Sequence, residues 1–155
     1  MSTKLFVAGD VLTAAEVNTY LQQRDAWTSF TPTLTNVTEG NGTKTAYYNR
    51  IGRIIHWHVI FTLGSTSAIT GSPNVALPVT AARTLQRPTD GMLFVGGFLH
   101  ACMAYMSSTS VVTLLALDTS TTYGRHTSIS ATVPGTWTTS DYFACGGTYE
   151  AAAAS

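Results

Sequence analysis

The stretch from Tyr47 to Leu63, YYNRIGRIIHWHVIFTL, decides the fold. The dipeptide Ile51-Gly52 predicts a tight reversal, and a long strand begins at Arg53. Because successive side chains of a strand point to opposite faces, this strand has one apolar face and one mixed face. The apolar face carries Ile55, Trp57, Val59, Phe61 and Leu63, and the mixed face carries Ile54, His56, His58, Ile60 and Thr62. We therefore predict the central strand of an antiparallel β-domain, with the apolar face toward the core.

Strand and turn signals continue at short intervals along the rest of the chain. Glu39–Gly42 predicts a turn, and the polar segment 64–72 predicts a loop. The Gly96-Gly97 pair predicts a bulge or a close approach of another backbone inside an apolar strand. Further strands are predicted at 28–35, 74–79, 92–100, 101–106, 111–117, 128–133 and 142–150. This spacing predicts a mainly β fold: an antiparallel β-sandwich or jelly-roll-like domain, preceded by a short N-terminal helix.

The N-terminal segment predicts the helix, over about residues 14–24. Thr13-Ala14-Ala15-Glu16 matches a capping box, and Leu12 and Val17 occupy the positions of a hydrophobic staple. A helix this short is marginal in isolation, so it must dock on the β-domain or on a neighbouring protein. We predict an anchoring arm over residues 1–27, a β-sandwich domain over 28–150 and a frayed tail over 151–155. The predicted anchor contacts are Leu12, Val17, Tyr20 and Leu21.

Charged residues make up only 10% of the 155 residues, and the net charge is 0. Ordinary globular domains contain about 25% charged residues, whereas the cores of subunit interfaces are depleted of charge. We therefore predict a homo-oligomer or a component of a larger assembly, rather than a Thr-rich monomer. No basic stripe is present to neutralise phosphates, which argues against nucleic-acid binding. The uncharged segment 91–117 is divided by Ser107–Ser110, which argues against membrane insertion.

The two histidines of the mixed face, His56 and His58, are the sharpest local candidates for a site. A His-x-His pair on a strand can hold a metal ion if a third ligand is present. The spacing marks no third ligand, so a polar or interface face is the favoured interpretation, and we predict no cofactor. The sequence also lacks paired carboxylates, a GxSxG elbow, a P-loop and HExxH, so we predict a non-enzymatic protein rather than a small hydrolase.

The roles of the cysteines and of the aromatic residues are left open by the sequence. Cys102 and Cys145 do not form a metal-type CxxC pair, and we predict buried free thiols, although spacing alone leaves a disulfide open. Aromatic residues in β-domains more often belong to the core, as we predict for Trp57. Tyr123 and Trp137 are the chosen candidates for stacking on sugars at a receptor-binding surface, out of a set that also includes Trp27, Tyr47, Tyr48 and Trp57. If they do so, the chain is a carbohydrate-binding module.

Several segments resemble bacteriophage virion proteins. Residues Phe6–Leu21, FVAGDVLTAAEVNTYL, resemble the opening segment of minor tail and other virion proteins, especially of phages that infect actinobacteria. Residues Trp27–Pro32, Tyr48–Arg53, Leu77–Val79 and Gly147–Ala151 are similar to β-domains of phage tail fibres and related virion proteins. The resemblance implies an exterior virion structural protein, often trimeric, with a jelly-roll-like head.

From this resemblance we expect a minor tail protein or a short tail-fibre component on the exterior of the virion. It would form a homotrimer, contact other virion proteins and offer a surface for a host glycan. The chain has no long shaft, so the first alternative is a capsid decoration protein or head spike that stabilises the capsid. The carbohydrate-binding module is the second alternative.

Overall fold

A computed structural model describes residues 26–84, 89–120 and 122–153, together with Thr13 and Ala15. Within these residues the chain forms ten strands that belong to one antiparallel sheet. In chain order they are β1 (Thr28–Ser29), β2 (Leu34–Thr38), β3 (Thr43–Ile51), β4 (Ile54–Thr62), β5 (Ala68–Ala76), β6 (Thr89–Val95), β7 (Phe98–Met106), β8 (Val111–Asp118), β9 (Arg125–Ser128) and β10 (Tyr142–Glu150). The predicted fold class, a mainly β and antiparallel sandwich-like domain, is confirmed.

The predicted anchoring helix lies outside the described residues, apart from its residue Ala15, which has helical geometry. The predicted anchor contacts Leu12, Val17, Tyr20 and Leu21 lie outside them as well. Among the residues that are described, no helix has the length and apolar character needed to cross a membrane.

The strands follow the spatial order β1-β3-β4-β10-β6-β7-β8-β5-β2, and β9 pairs with β8 away from this path. The sheet curls, so that apolar residues from both of its ends, such as Leu34 on β2 and Ile55 on β4, belong to one core cluster. β10 pairs with β4 along one side and with β6 along the other. It therefore joins the β1-β3-β4 part of the sheet to the part that runs from β6 to β2.

The predicted alternation along β4 is confirmed, and it positions the core. Ile55, Val59 and Phe61 are 0% exposed, Trp57 is 2% exposed, and Leu63 just beyond the strand is 3% exposed. Alternate residues of β10 point to the same side, and the ring of Phe143 lies 5.5 Å from that of Phe61. The face of the sheet that carries these residues is the inner face. The opposite face, with His56, His58 and Ile60, is the outer face.

The Gly96-Gly97 pair forms a hairpin turn, and the predicted bulge at this position is wrong. Val95 of β6 pairs with Phe98 of β7, which leaves the two glycines as the whole connection. Their φ angles are +61° and +85°. Two-residue hairpin turns need positive φ at both positions when their twist matches that of the strands, and glycine adopts it without steric cost. The predicted strand 92–100 is therefore two strands.

Two further predictions are corrected by pairing between distant segments. The segment 64–72 is a loop only as far as Ser67, because Ala68–Ala76 forms β5 between β2 and β8. Its Ser, Thr and Gly residues gave a loop-like composition, while Ile69 and Val75 fill the core. The predicted strand 28–35 is divided into β1 and the start of β2, with the buried Pro32 between them. Proline cannot donate a ladder hydrogen bond, which explains the interruption.

The end of the domain also differs from its predicted boundary. Ala151, predicted as the first residue of a frayed tail, is 0% exposed and donates its amide to the Arg53 carbonyl at 2.7 Å. The Ala152 amide donates to the Thr80 carbonyl at 2.8 Å. These small side chains allow the backbone to lie against the sheet, so ordered pairing continues beyond Glu150. Strand β9 likewise ends at Ser128, where the predicted strand 128–133 begins.

The two faces of β4 give the first testable prediction, because Ile54 and Ile55 are adjacent and identical in chemistry. Ile55→Val removes a methylene group from a site that is 0% exposed and should lower the free energy of unfolding by about 0.5–1.5 kcal/mol. Ile54→Val, at a site 41% exposed, should change it by less than about 0.5 kcal/mol. Urea unfolding of the two variants measures the difference. Equal losses of stability would contradict the register.

Candidate functional site

An open groove of about 350 Å³ lies on the outer face, above β10 and between β4 and β6. Strand register builds it from two rows of side chains. One row is Ile60, Ala144 and Met92, and the next is His58, Gly146 and Asp90. We call this feature the outer groove. The residues that form it come from three segments that are far apart in the sequence, and they meet only because β10 lies between its two neighbours.

The floor of the outer groove is low because the outward positions of β10 hold small residues. Ala144 ends in a methyl group, and Gly146 has no side chain. A Cβ atom at Gly146 would lie 2.7 Å from the carbonyl oxygen of Trp57 on β4. The close approach of the two backbones therefore requires glycine at this position, and the taller side chains on β4 and β6 become the walls.

Both ends of the outer groove are closed by contacts between neighbouring strands. At one end the rings of Phe94 and Tyr142 stack, with centroids 5.2 Å apart and an interplanar angle of 11°. At the other end the Thr148 hydroxyl lies 3.0 Å from Nδ1 of His56. These contacts limit the length of an apolar group that can lie along β10.

Aromatic rings extend the β4 wall of the groove. The His58 ring lies 5.4 Å from the ring of Trp27 and 5.5 Å from that of Tyr47. Trp27 is 53% exposed and Tyr47 is 38% exposed. The outer groove therefore borders a broader apolar surface. The sequence pattern of β4 alone did not predict this surface.

The chemistry of the outer groove favours binding of apolar groups over catalysis. Asp90 and His58 stand on opposite sides of Gly146, two strand spacings or about 9.6 Å apart between their Cα atoms. Gly146 separates the two side chains, and the rest of the groove lining is apolar. The other outward side chains that line the groove are Ile60, Met92 and Ala144.

The predicted histidine pair lies on one face, as the strand period requires. Each ring, however, has its own neighbours: Thr148 for His56, and Trp27 and Tyr47 for His58. Within the described ranges, no group of three His, Cys, Asp or Glu side chains is arranged to hold a metal ion. His58 is accordingly part of the groove wall, and His56 lies at the end of the groove.

The two predicted receptor aromatics occupy different environments. Tyr123 is 84% exposed in the loop between β8 and β9, and its role in receptor binding stays a prediction. Trp137, in the connection from β9 to β10, packs against the core and donates its indole N–H to the Ser130 carbonyl at 3.0 Å. Because its polar edge is bound internally, Trp137 serves the fold and is a poor candidate for sugar stacking.

The two cysteines are free thiols separated by one strand. Cys145 on β10 and Cys102 on β7 both lie opposite Gly91 on β6, so about 9.6 Å separates their Cα atoms. A disulfide requires less than about 7 Å, which excludes a bond between them. Burial raises the pKa of Cys102 to about 12 and also raises that of Cys145. The thiols act as small core groups.

Comparison of the chain with protein-family models, with curated proteins and with solved structures finds no match.

Gly91 gives a prediction about packing between the cysteines. A Cβ atom at this position would lie 2.8 Å from Sγ of Cys102, so Gly91→Ala should lower the free energy of unfolding by about 1–3 kcal/mol. The remaining neighbours, Cβ of Cys102 and the Ala104 amide nitrogen, are at 3.4 Å. The double variant Gly91→Ala/Cys102→Ala should therefore lose less stability than the sum of the single variants. Simple additivity in urea unfolding would reject the contact.

The thiols give a prediction about reactivity. Their raised pKa values keep both groups protonated in the folded protein at pH 8, and the thiolate is the reactive species. A disulfide reagent such as DTNB should react with the native chain at least about tenfold more slowly than with a free cysteine. In denaturant both thiols should react. One rapidly modified thiol in the native protein would contradict the assignment.

Proposed function

We propose that this chain is a non-enzymatic structural protein displayed on the exterior of a bacteriophage particle, where it assembles as a homotrimer. The observation that carries the proposal is the apolar and nearly uncharged outer face. Its exposed members include Trp27, Tyr47, Ile60 and Met92, which are 38% to 53% exposed. Exposed apolar surfaces that are continuous in this way mark sites of association.

The position of the charges supports assembly. Glu150 binds Arg53 and Arg83, at 3.1 and 2.9 Å, at the end of β10 rather than across the outer groove. The broad faces of the sheet are left to apolar, Ser and Thr side chains. Burial of apolar surface contributes about 25 cal/mol per Å², before the costs of association are subtracted. A face of this composition is suited to contact with another protein surface.

The resemblance of residues 6–21 to the opening segments of minor tail proteins supports a location on the tail. There the chain would be a minor tail or short tail-fibre component that presents a surface to the host. A capsid decoration protein is the alternative location, supported by the small size of the single β-domain. In both cases residues 1–27 would attach the chain to other virion proteins.

A second candidate function, glycan binding, is favoured by the exposure of Trp27 beside Tyr47. Indole and phenol rings with one face open to solvent are suited to stack on sugar rings. In a glycan array, Trp27→Ala would then abolish binding, while Trp137→Ala would leave the specificity intact because its indole is bound internally.

The location is tested by immunogold labelling of intact phage particles with an antibody raised against this chain. We expect gold at the tail end, and pre-immune serum on the same particles serves as the control. Gold spread over the head would instead assign the chain to capsid decoration. If disrupted particles also carry no label, the virion proposal is wrong and glycan binding becomes the leading function.

A further inference from the structure

The turn between β6 and β7 projects two large apolar side chains into solvent. Phe98 is 71% exposed and Leu99 is 64% exposed, more than any of the apolar residues around the outer groove. Because Val95 pairs with Phe98 across the two-residue turn, the backbone at this position is fixed by the hairpin. We call Phe98 and Leu99 the apolar tip.

The outer groove has the complementary chemistry. It is an open hollow of about 350 Å³ whose walls are largely apolar and whose floor is only Ala144 and Gly146. An aromatic side chain buries about 150–250 Å² when it is fully enclosed, which makes it the strongest single contributor to such a contact. A Phe side chain that enters between Ile60 and Met92 would rest on this floor.

The tip of a chain cannot fill the groove of the same chain. The groove contacts β6 at Asp90 and Met92, whereas the tip begins beyond Gly96, four residues or about 13 Å further along the strand. β6 is held in register between β10 and β7, so the hairpin cannot fold back onto its own outer face. The occupant must come from another molecule.

The charges favour a second copy of this chain as that molecule. The sequence carries no formal charge from Gly91 to Leu117, so the tip is neutral, and Asp90 is the one formally charged residue in the groove lining. A strongly acidic or basic partner would find no set of opposite charges there. A second copy supplies a neutral apolar tip, in a chain whose net charge is 0.

A stable contact between copies needs more surface than the tip alone provides. A specific interface buries about 800 Å² on each partner, and the tip alone supplies only part of it. The aromatic surface of Trp27 and Tyr47 continues from the groove wall and can supply more. The tip would form the buried centre of the interface, where most of the binding energy of such contacts is found.

We infer that the apolar tip of one chain inserts into the outer groove of a second copy. The tip and the groove are different patches of the molecule, so in the head-to-tail arrangement that a trimer requires the contact is heterologous, and each bound copy still offers one free tip or one free groove. Repetition of the contact closes a ring when the rotation permits. This inference rests on the proposed homotrimer and names the surfaces that would build it.

The test uses two variants with complementary defects, analysed by sedimentation at micromolar concentration. Phe98→Ser removes the tip, and Met92→Lys places a charge in the groove. The wild-type chain should sediment as a trimer, and each variant alone should be a monomer with at least 100-fold weaker association. A 1:1 mixture should form dimers, because the tip of the Met92→Lys chain still fits the groove of the Phe98→Ser chain.

Ile51→Ser is the matched control, because it removes an apolar side chain that is 43% exposed at the β3–β4 turn, at the end of β10 away from the tip. It should remain trimeric. Unfolding midpoints of all three variants close to that of the wild type establish that the domain stays folded. For a variant that does not fold, Leu99→Ser replaces Phe98→Ser and Ile60→Lys replaces Met92→Lys.

Several results would overturn the inference. One is a wild-type chain that is monomeric, whether or not it binds glycans through Trp27. Another is a trimer that persists in both variants. A third is a 1:1 mixture of the variants that forms no dimers. A wild-type dimer would show a two-fold contact in place of the heterologous one. The virion proposal is tested separately: gold on particles together with variants that stay trimeric would reject only the contact. If the variants are monomeric but phage particles carry no gold label, only the proposed location on the virion is rejected.

Discussion

The pairing of β10 with both β4 and β6 is the interaction on which the rest of the structure depends. Its inward residues, among them Phe143 and Tyr149, complete the core, while its outward residues Ala144 and Gly146 form the floor of the outer groove. The large inward residues of β10 thus serve the fold, and its small outward residues at the groove serve the site. A larger outward residue at Gly146 would meet the backbone of β4, so the two roles cannot be varied independently.

The unusual composition of the chain becomes understandable from the location of its charges. The ion pairs of the described residues lie near strand ends and turns, as in Lys44 with Glu39 and Arg125 with Asp118. Surface ion pairs of this kind contribute little stability, typically about 0–1 kcal/mol. Their placement nevertheless leaves the broad outer face nearly without charge, apart from residues such as Asp90, and a soluble monomer has little reason to maintain such a face. Composition and architecture therefore both support the proposed association.

The sequence predicted what local periodicity determines. The two faces of β4 followed from the alternation of residues between Ile54 and Leu63. The limits of β10 followed from the turn residues on either side of that strand. β5 was assigned largely to a loop because its partners, β2 and β8, are chosen by tertiary contacts that composition does not reveal. The Gly96-Gly97 pair suited a bulge and a turn equally well. The outer groove was out of reach, since it arises only when three distant strands come into register.

The central position of β10 also has a consequence for synthesis. A ribosome makes this strand after the other nine, and until it emerges the edges of β4 and β6 that face it have no partner. The nascent chain therefore holds two incomplete half-sheets with exposed apolar surface, a state that is prone to aggregation. Closure of the domain must wait for almost the whole of it to leave the exit tunnel. A chain cut short before β10 would lack the strand that joins β4 to β6 and could not close the sheet.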